Sequence, residues 1–171
     1  WCFVPQREGS IRELEIRPGW IVQDNNLLAC SECHIKAVFE MLAGQAKRAS
    51  FKGGLEAKRL RAWHVDLLLS IRVHDLWLAC DSAGAIKHLE RAADLLADFN
   101  IRKKRCFVMI GFNGERLADA ERRLEKIFSL GFMPFCQLYQ PAEQKPYTQA
   151  WRALARKWSR PAAYMGRSEA A

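Results

Sequence analysis

The sequence predicts an α/β fold built from consecutive strand–helix units. Five short apolar runs that suit β-strands end at polar residues or glycines, namely Asp24, Gly53, Asp81, Gly111 and Gln137. These ends are about 26 to 30 residues apart, which is roughly the length of one strand, one helix and two short loops. Units of this kind wind right-handed into either a barrel or a doubly wound sheet.

Apolar residues at helical spacing predict a helix after each of the first four runs. The four stripes are Ile35, Val38, Phe39 and Leu42; Leu60, Trp63, Leu67 and Leu68; Ile86, Leu89, Ala93 and Leu96; and Leu117, Leu124, Ile127 and Phe128. Ser31 and Ser82 stand where helix N-caps are expected, and Gly131 is a stop signal after the fourth helix.

Two of the runs, residues 76–80 and 106–110, are apolar at odd and even positions alike. This pattern favours strands covered on both faces, as in a parallel sheet flanked by helices. His74 is expected just before the first of these strands. A linker-like stretch follows the fifth run, and residues 151–159 then have the pattern of an amphipathic helix. We therefore expect a core over residues 1–139 and, over residues 140–171, a linker and a basic C-terminal helix packed on that core.

Composition excludes several classes of protein. The chain has 171 residues, half of them hydrophobic, which is enough for one domain with its own core. No apolar run approaches the roughly 20 residues of a membrane span, so we expect no membrane partner. Six cysteines are too few for a disulfide scaffold, which predicts reduced thiols and a cytoplasmic protein. The sequence begins at Trp1 without a methionine, and we expect a fragment of a longer protein.

The net charge is +8, and five basic residues against one acidic residue follow Tyr147. Arg152, Arg156 and Arg160 would line one side of the C-terminal helix. A basic helix face of this kind either is simply solvated or binds a polyanion. One functional hypothesis is therefore a non-catalytic α/β module that binds nucleic acid through this helix.

The strand ends are where a ligand is expected. In α/β folds, ligands bind at the carboxyl ends of the strands, where helix N-termini present their N–H groups. Gly53 and Gly54 follow a strand directly, so their amides can meet a carboxylate, while Glu56 can accept a hydrogen bond from an ammonium group. A ligand with both groups, an amino acid moiety, matches this pattern.

Five segments together resemble the radical S-adenosylmethionine (radical SAM) family. They are residues 1–5, 24–28, 51–57, 76–81 and 109–111, and they extend over nearly the whole chain. The family has a partial (β/α)6 TIM-like barrel, in which a CxxxCxxC loop after the first strand binds a four-iron, four-sulfur (4Fe-4S) cluster. The resemblance implies that Cys2 is the third cluster cysteine and Trp1 the aromatic residue before it. The first strand and the other two cysteines would then lie upstream of residue 1.

The resemblance also implies roles at the other strand ends. Gly53, Gly54 and Glu56 would hold the amino acid end of S-adenosylmethionine, although one more residue separates the glutamate from the glycines than in the commonest family motif. Asp81 would reach the ribose or the methionyl group. The strand that ends at Gly111 would border the adenine.

The family chemistry follows from an open iron. Three thiolates leave one iron free to bind S-adenosylmethionine, and electron transfer then yields a 5′-deoxyadenosyl radical. The resemblance implies a radical SAM enzyme that takes electrons from a donor such as flavodoxin or ferredoxin and acts on an unknown substrate. A single cysteine cannot hold the cluster, so we expect the chain alone to be inactive and a full-length parent to carry the activity.

Residues 30–34, Cys-Ser-Glu-Cys-His, have alternative interpretations. They match the C-x-x-C-H pattern of haem c attachment, and a cysteine pair at a helix N-terminus also fits a redox dithiol of low pKa. Ligation of an auxiliary cluster by Cys30 or Cys33 is a third alternative. A structural zinc site is not expected, because no second pair completes four ligands. Cys80 and Cys106 lie in apolar runs and are expected in the core.

Overall fold

The computed structural model describes residues 6, 7, 9–140 and 146–165. The strands are β1 (Ile21–Val22), β2 (Ala49–Phe51), β3 (Val73–Ala79), β4 (Lys104–Ile110) and β5 (Met133–Leu138). The helices are α1 (Glu32–Ala43), α2 (Ala62–Ser70), α3 (Ile86–Leu95), α4 (Leu117–Ser129), α5 (Gln149–Trp158) and α6 (Pro161–Met165). Among the described helices, none combines the length and the hydropathy needed to cross a membrane.

The strands form a five-stranded parallel sheet in the order β1-β2-β3-β4-β5. The α/β class predicted from the spacing of the strand ends is confirmed. In the register of β1 and β2, Val22 lies beside Phe51, and in that of β4 and β5, Ile110 lies beside Leu138. A bulge between Ala49 and Ser50 shifts the register of β2 on β3.

The chain divides into two compact units, Trp1–Leu78 and Ala79–Ala171, with the division inside β3. The first unit contains β1, α1, β2, α2 and most of β3. The second contains β4, β5 and helices α3 to α6, and in it α5 packs on β5 and α4. The predicted boundary between residues 139 and 140 falls within the second unit and stays a prediction.

The first unit folds around the first predicted helix stripe, whereas in the second stripe Leu60 lies before α2 and Trp63 and Leu67 are only half-buried. All four residues of the first stripe, from Ile35 to Leu42, are buried in α1. This helix begins as predicted, because Ser31 Oγ accepts a hydrogen bond from the His34 amide at 3.2 Å. Phe39 stacks on Phe51 with ring centroids 5.6 Å apart, so α1 covers that face of β2.

In the second unit, one predicted helix boundary is confirmed and one is wrong. Gly131 has a φ of +79° and donates to the Phe128 carbonyl at 2.9 Å, which terminates α4 as expected. Ser82 does not cap α3, because a 3-10 turn, Ala83–Ala85, intervenes and the Ser82 side chain makes no capping hydrogen bond.

Two predictions about the strands are also wrong. β3 begins at Val73, so His74 lies inside the strand rather than before it. In β4, the residues from Lys104 to Ile110 alternate between buried and half-buried, and Phe107 and Met109 are among the half-buried ones. Apolar side chains on both faces of a strand therefore do not require equal covering of both faces.

Candidate functional site

The loop after β2 is shaped by Gly53 and Gly54. The Gly53 amide donates to the Val22 carbonyl at 3.0 Å, and a Cβ atom at Gly53 would lie only 1.9 Å from the Asp24 carbonyl oxygen. Close packing against the chain after β1 thus requires glycine at this position. Gly54 has a φ of +95°, and a Cβ atom there would have the Trp77 carbonyl oxygen as its nearest neighbour, at 3.8 Å. Of the two glycines, Gly54 is therefore the one where a Cβ atom would make only an ordinary van der Waals contact.

Glu56 ties this loop to the one after β1. Its Oε2 atom accepts hydrogen bonds from Asn26 Nδ2 and Arg59 Nε, both at 2.7 Å. The backbone N–H of Asn26 donates to Asp24 Oδ1 at 2.8 Å. Both donors to Glu56 share one carboxylate oxygen, so Oε1 is the atom that would accept from a ligand. The predicted interaction of Glu56 with an ammonium group stays a prediction.

The buried carboxylate of Asp75 organises a polar cluster on β2 and β3. Its Oδ1 atom accepts a hydrogen bond from Ser50 Oγ. Its Oδ2 atom accepts from Lys52 Nζ at 2.8 Å and from Trp77 Nε1 at 3.1 Å. Burial alone would raise the pKa of Asp75, but the hydrogen bonds from Lys52, Ser50 and Trp77 hold it below its usual range. Asp75 is therefore ionised at neutral pH and paired with Lys52.

Asp81 lies just after β3, in the second unit. Its Oδ1 atom accepts a hydrogen bond from the Met109 amide at 2.8 Å. Burial raises the pKa of Asp81, and the Met109 hydrogen bond and the Arg123 charge oppose that rise. One carboxylate oxygen is thus committed to β4, and Oδ2 is the atom that would meet a ligand.

Arg123 of α4 and Glu115 form what we call the arginine clamp. Arg123 donates to the Cys80 carbonyl at 2.7 Å, to the Met109 carbonyl at 2.9 Å and to Glu115 Oε1 at 2.6 Å. The Glu115 Oε2 atom accepts from the Gly111 amide at 2.9 Å. The side chain of Arg123 is 5% exposed and that of Glu115 is 18% exposed. The arginine clamp therefore fixes the backbone around Gly111 from below the surface.

Gly111 is covered by an aromatic side chain. It has a φ of +79°, and a Cβ atom at this position would lie 2.7 Å from the hydroxyl oxygen of Tyr147. The Tyr147 hydroxyl donates to the Tyr139 carbonyl at 2.6 Å and lies 3.4 Å from the Gly111 carbonyl oxygen. Burial raises the pKa of Tyr147 above its usual value. Glycine is thus required here by both conformation and packing.

The described cysteines divide into a buried group, Cys80, Cys106 and Cys136, and a more accessible pair, Cys30 and Cys33. Cys80 and Cys106 are fully buried, as predicted, and burial raises the pKa of Cys80 to about 11. Cys30 and Cys33 are free thiols near the start of α1. Burial raises the pKa of Cys30, and the Asp24 charge adds to that rise. The low pKa expected of a redox dithiol is therefore not found at Cys30.

The predicted cluster residues, Trp1 and Cys2, lie outside the described residues, and their roles stay predictions. Within residues 6, 7, 9–140 and 146–165, no group of three or more His, Cys, Asp or Glu side chains is placed to hold a metal ion. The other predicted site residues fall into the two units. Gly53, Gly54 and Glu56 share one loop in the first, and Asp81 and Gly111 follow strands in the second.

Two sets of residues were missed by sequence analysis, for different reasons. Ser50 and Lys52 alternate with Ala49, Phe51 and Gly53, so a period of two in polarity could have indicated a polar face on β2, whereas Asp75 follows His74 and precedes an apolar run that gives no such signal. Arg123 directly precedes Leu124, a residue of the fourth apolar stripe. Nothing in the neighbouring sequence indicates that Arg123 forms a buried ion pair.

Comparisons of the chain with protein-family models, with curated proteins and with solved structures found no match. The candidate residues lie in both units. In the first unit these are the glycine turn and the Asp75 cluster. In the second unit they are Asp81 and the arginine clamp around Gly111.

Proposed function

We propose that the chain forms most of the barrel of a radical SAM enzyme, within a longer parent protein. The parallel strands follow one another in sequence order, as in the partial (β/α)6 TIM-like barrel of that family. A doubly wound sheet would instead reverse its strand order at a switch point. The first barrel strand would precede β1. A barrel of this type binds its ligands at the carboxyl ends of the strands, which is where the candidate residues lie.

The observation that carries this proposal is the turn at residues 53–56. Gly53 packs directly on the chain after β1, and Gly54 has a left-handed backbone conformation, with a φ of +95°. Glu56 is held by Asn26 and Arg59, which leaves one carboxylate oxygen for a ligand. The Gly54 backbone would take the carboxylate of S-adenosylmethionine, and Glu56 would take its ammonium group.

Other residues would complete the cofactor sites. Cys2 would be one of three thiolate ligands of a 4Fe-4S cluster, and Trp1 would lie beside the cofactor. When bound, the cluster and S-adenosylmethionine together supply radical chemistry that removes hydrogen from a substrate. Asp81 would accept a hydrogen bond through Oδ2, and Gly111 would border the adenine, with its backbone held by the arginine clamp. The electron donor would be a protein such as flavodoxin or ferredoxin, and the location cytoplasmic.

The proposal is tested by anaerobic reconstitution of the full-length parent with iron and sulfide. We expect a 4Fe-4S cluster, detected by electron paramagnetic resonance after reduction. Cys2→Ala should abolish the cluster, whereas Cys30→Ala should retain it, because Cys30 is not among the proposed ligands. A parent that holds no cluster, or an equal loss in both variants, would overturn the proposal.

A second candidate function is nucleic acid binding through α5. Arg152 and Arg156 on α5 and Arg160, which follows the end of this helix, are exposed, and in the described part of the chain none of them has an acidic partner. The opposite side of α5 is packed, with Trp158 buried against Phe128, so a contact with phosphates is favoured over stacking on bases. Salt-dependent binding to RNA or DNA that is lost when all three arginines become Gln would support this function. No binding at low salt would remove it.

A further inference from the structure

The two faces of β2 and β3 in the first unit differ in chemistry. Phe51 points towards α1, where it stacks on Phe39. Ser50 is in register with Asp75, and successive side chains of a strand point to opposite faces. Ser50 and Asp75 therefore share the face opposite Phe51, and Trp77, two residues after Asp75, lies on it as well.

Lys52 adds a cation with unused donors to this face. Its ammonium group has three N–H bonds. Across residues 6, 7, 9–140 and 146–165, Asp75 is its one hydrogen-bond acceptor and its one ion-pair partner. The Lys52 side chain is 42% exposed, whereas that of Asp75 is 7% exposed. The buried carboxylate thus holds the ammonium group in place while leaving it open to a ligand.

Trp77 shapes the surroundings of this ammonium group. Its ring centroid lies 5.0 Å from Lys52 Nζ, and its indole N–H donates to the same oxygen of Asp75. An aromatic wall displaces water, which strengthens the attraction between a cation and an anion. The Trp77 carbonyl also accepts from the Leu55 amide at 2.6 Å, which ties this strand to the glycine turn.

We propose that Lys52 anchors an oxyanion of the substrate, either a carboxylate or a phosphate group. Asp75 is the positioning residue, and Ser50 and Trp77 hold Asp75. That the anion belongs to a substrate rests on the proposed radical SAM function. The anion site does not, because it is formed by residues of this chain. Lys52 directly precedes Gly53, so an anchored substrate would lie beside the turn proposed to hold the cofactor.

The anion site is tested by nuclear magnetic resonance on the ¹⁵N-labelled chain, which needs neither cluster nor cofactor. Inorganic phosphate and acetate are added separately at constant ionic strength, and the indole N–H of Trp77 is followed. We expect a saturable shift with a Kd on the order of millimolar. Trp20 is an internal control, because Lys47 Nζ lies 3.8 Å from its ring centroid but Trp20 is not part of the Asp75 cluster. Its indole signal should not saturate.

Variants give a second reading of the same titration. Lys52→Gln should weaken binding by about tenfold or more, because a charged donor is lost. Lys87→Gln removes the same charge from the exposed surface of α3 and should leave binding unchanged. Saturation by phosphate alone assigns a phosphate group to the substrate, and saturation by acetate alone assigns a carboxylate.

Saturation by neither anion would overturn the anion site, as would equal shifts at Trp20 and Trp77 or equal weakening by Lys52→Gln and Lys87→Gln. The comparison of the Trp20 and Trp77 indole shifts uses the wild-type chain, so it tests the anion site even if Lys52→Gln fails to fold. Failure of the radical SAM proposal is a separate result, because a parent without a cluster leaves the anion titration of this chain unaffected.

Discussion

Each unit pairs a carboxylate with a cation, but the two cations are used differently. Arg123 in the second unit donates to Glu115 and to two backbone carbonyls, and its side chain is 5% exposed. Among the residues that the structure describes, Lys52 in the first unit donates to Asp75 alone, and it is 42% exposed. The arginine clamp therefore stabilises the second unit, whereas the Lys52–Asp75 ion pair presents the Lys52 ammonium group to a ligand.

Removal of the two cations should therefore have unequal effects on stability. Arg123→Met should lower the free energy of unfolding by about 3 to 5 kcal/mol, because Glu115 Oε1 and two carbonyls lose the hydrogen bonds and the charge that Arg123 supplies. Lys52→Gln should cost only about 1 to 2 kcal/mol, because Ser50 and Trp77 still donate to Asp75. Urea unfolding followed by circular dichroism measures both.

Arg122→Met is the matched control on the same helix. Arg122 is 66% exposed and pairs with Asp119, so its loss should leave stability nearly unchanged. If Arg123→Met were as mild as Arg122→Met, the arginine clamp would not hold the second unit together.

The two glycines of the turn after β2 should also differ. Gly53→Ala should cost about 3 kcal/mol, because its Cβ would overlap the Asp24 backbone. Gly54→Ala should cost about 1 kcal/mol, because only the left-handed conformation opposes it. Thermal unfolding of the two variants measures the difference. A larger loss of stability in Gly54→Ala than in Gly53→Ala would contradict the close packing described at Gly53.

A smaller effect distinguishes the two units by pH. The pKa of Asp75 is lowered, so its contribution to stability is present above the usual value of 3.8 and is lost as the pH falls through the lower pKa of the folded state. The pKa of Asp81 is raised, so the folded state gains stability as the pH falls through that raised pKa towards 3.8.

The pH dependence of unfolding in variants separates these two contributions. Asp75→Asn should reduce the loss of stability below pH 3.8, and Asp81→Asn should remove the opposing gain above it. Changes of the same sign in both variants would contradict the assignment of the two environments.

Local patterns in the sequence predicted the elements better than the contacts. The spacing of apolar residues indicated the helices. Ser31 and Gly131 indicated the start of α1 and the end of α4, because each makes a hydrogen bond to the backbone within four residues. The prediction that Ser82 caps α3 was wrong because a 3-10 turn, Ala83–Ala85, lies between them. No side-chain pattern in the sequence indicated this turn. The glycine turn was predictable because two glycines in a row after a strand are a local signal.

The ion pairs were not predictable, because their members are brought together by folding. Lys52 and Asp75 are 23 residues apart, and although Glu115 is only 8 residues from Arg123, the Cys80 carbonyl that Arg123 also binds is 43 residues away. Charged residues at such distances look like solvated positions until the strands and helices are packed. The sequence resemblance pointed to the loop residues, but not to the side chains that hold those loops.

The proposed radical SAM function predicts that the full-length parent cleaves S-adenosylmethionine. The most direct test is the yield of 5′-deoxyadenosine from the reconstituted full-length parent, supplied with S-adenosylmethionine and a strong reductant without oxygen. We expect 5′-deoxyadenosine from the wild type and the Cys30→Ala variant, and none from the Cys2→Ala variant. A parent that holds a 4Fe-4S cluster yet forms no 5′-deoxyadenosine, or one that forms it equally well without Cys2, would contradict the claim.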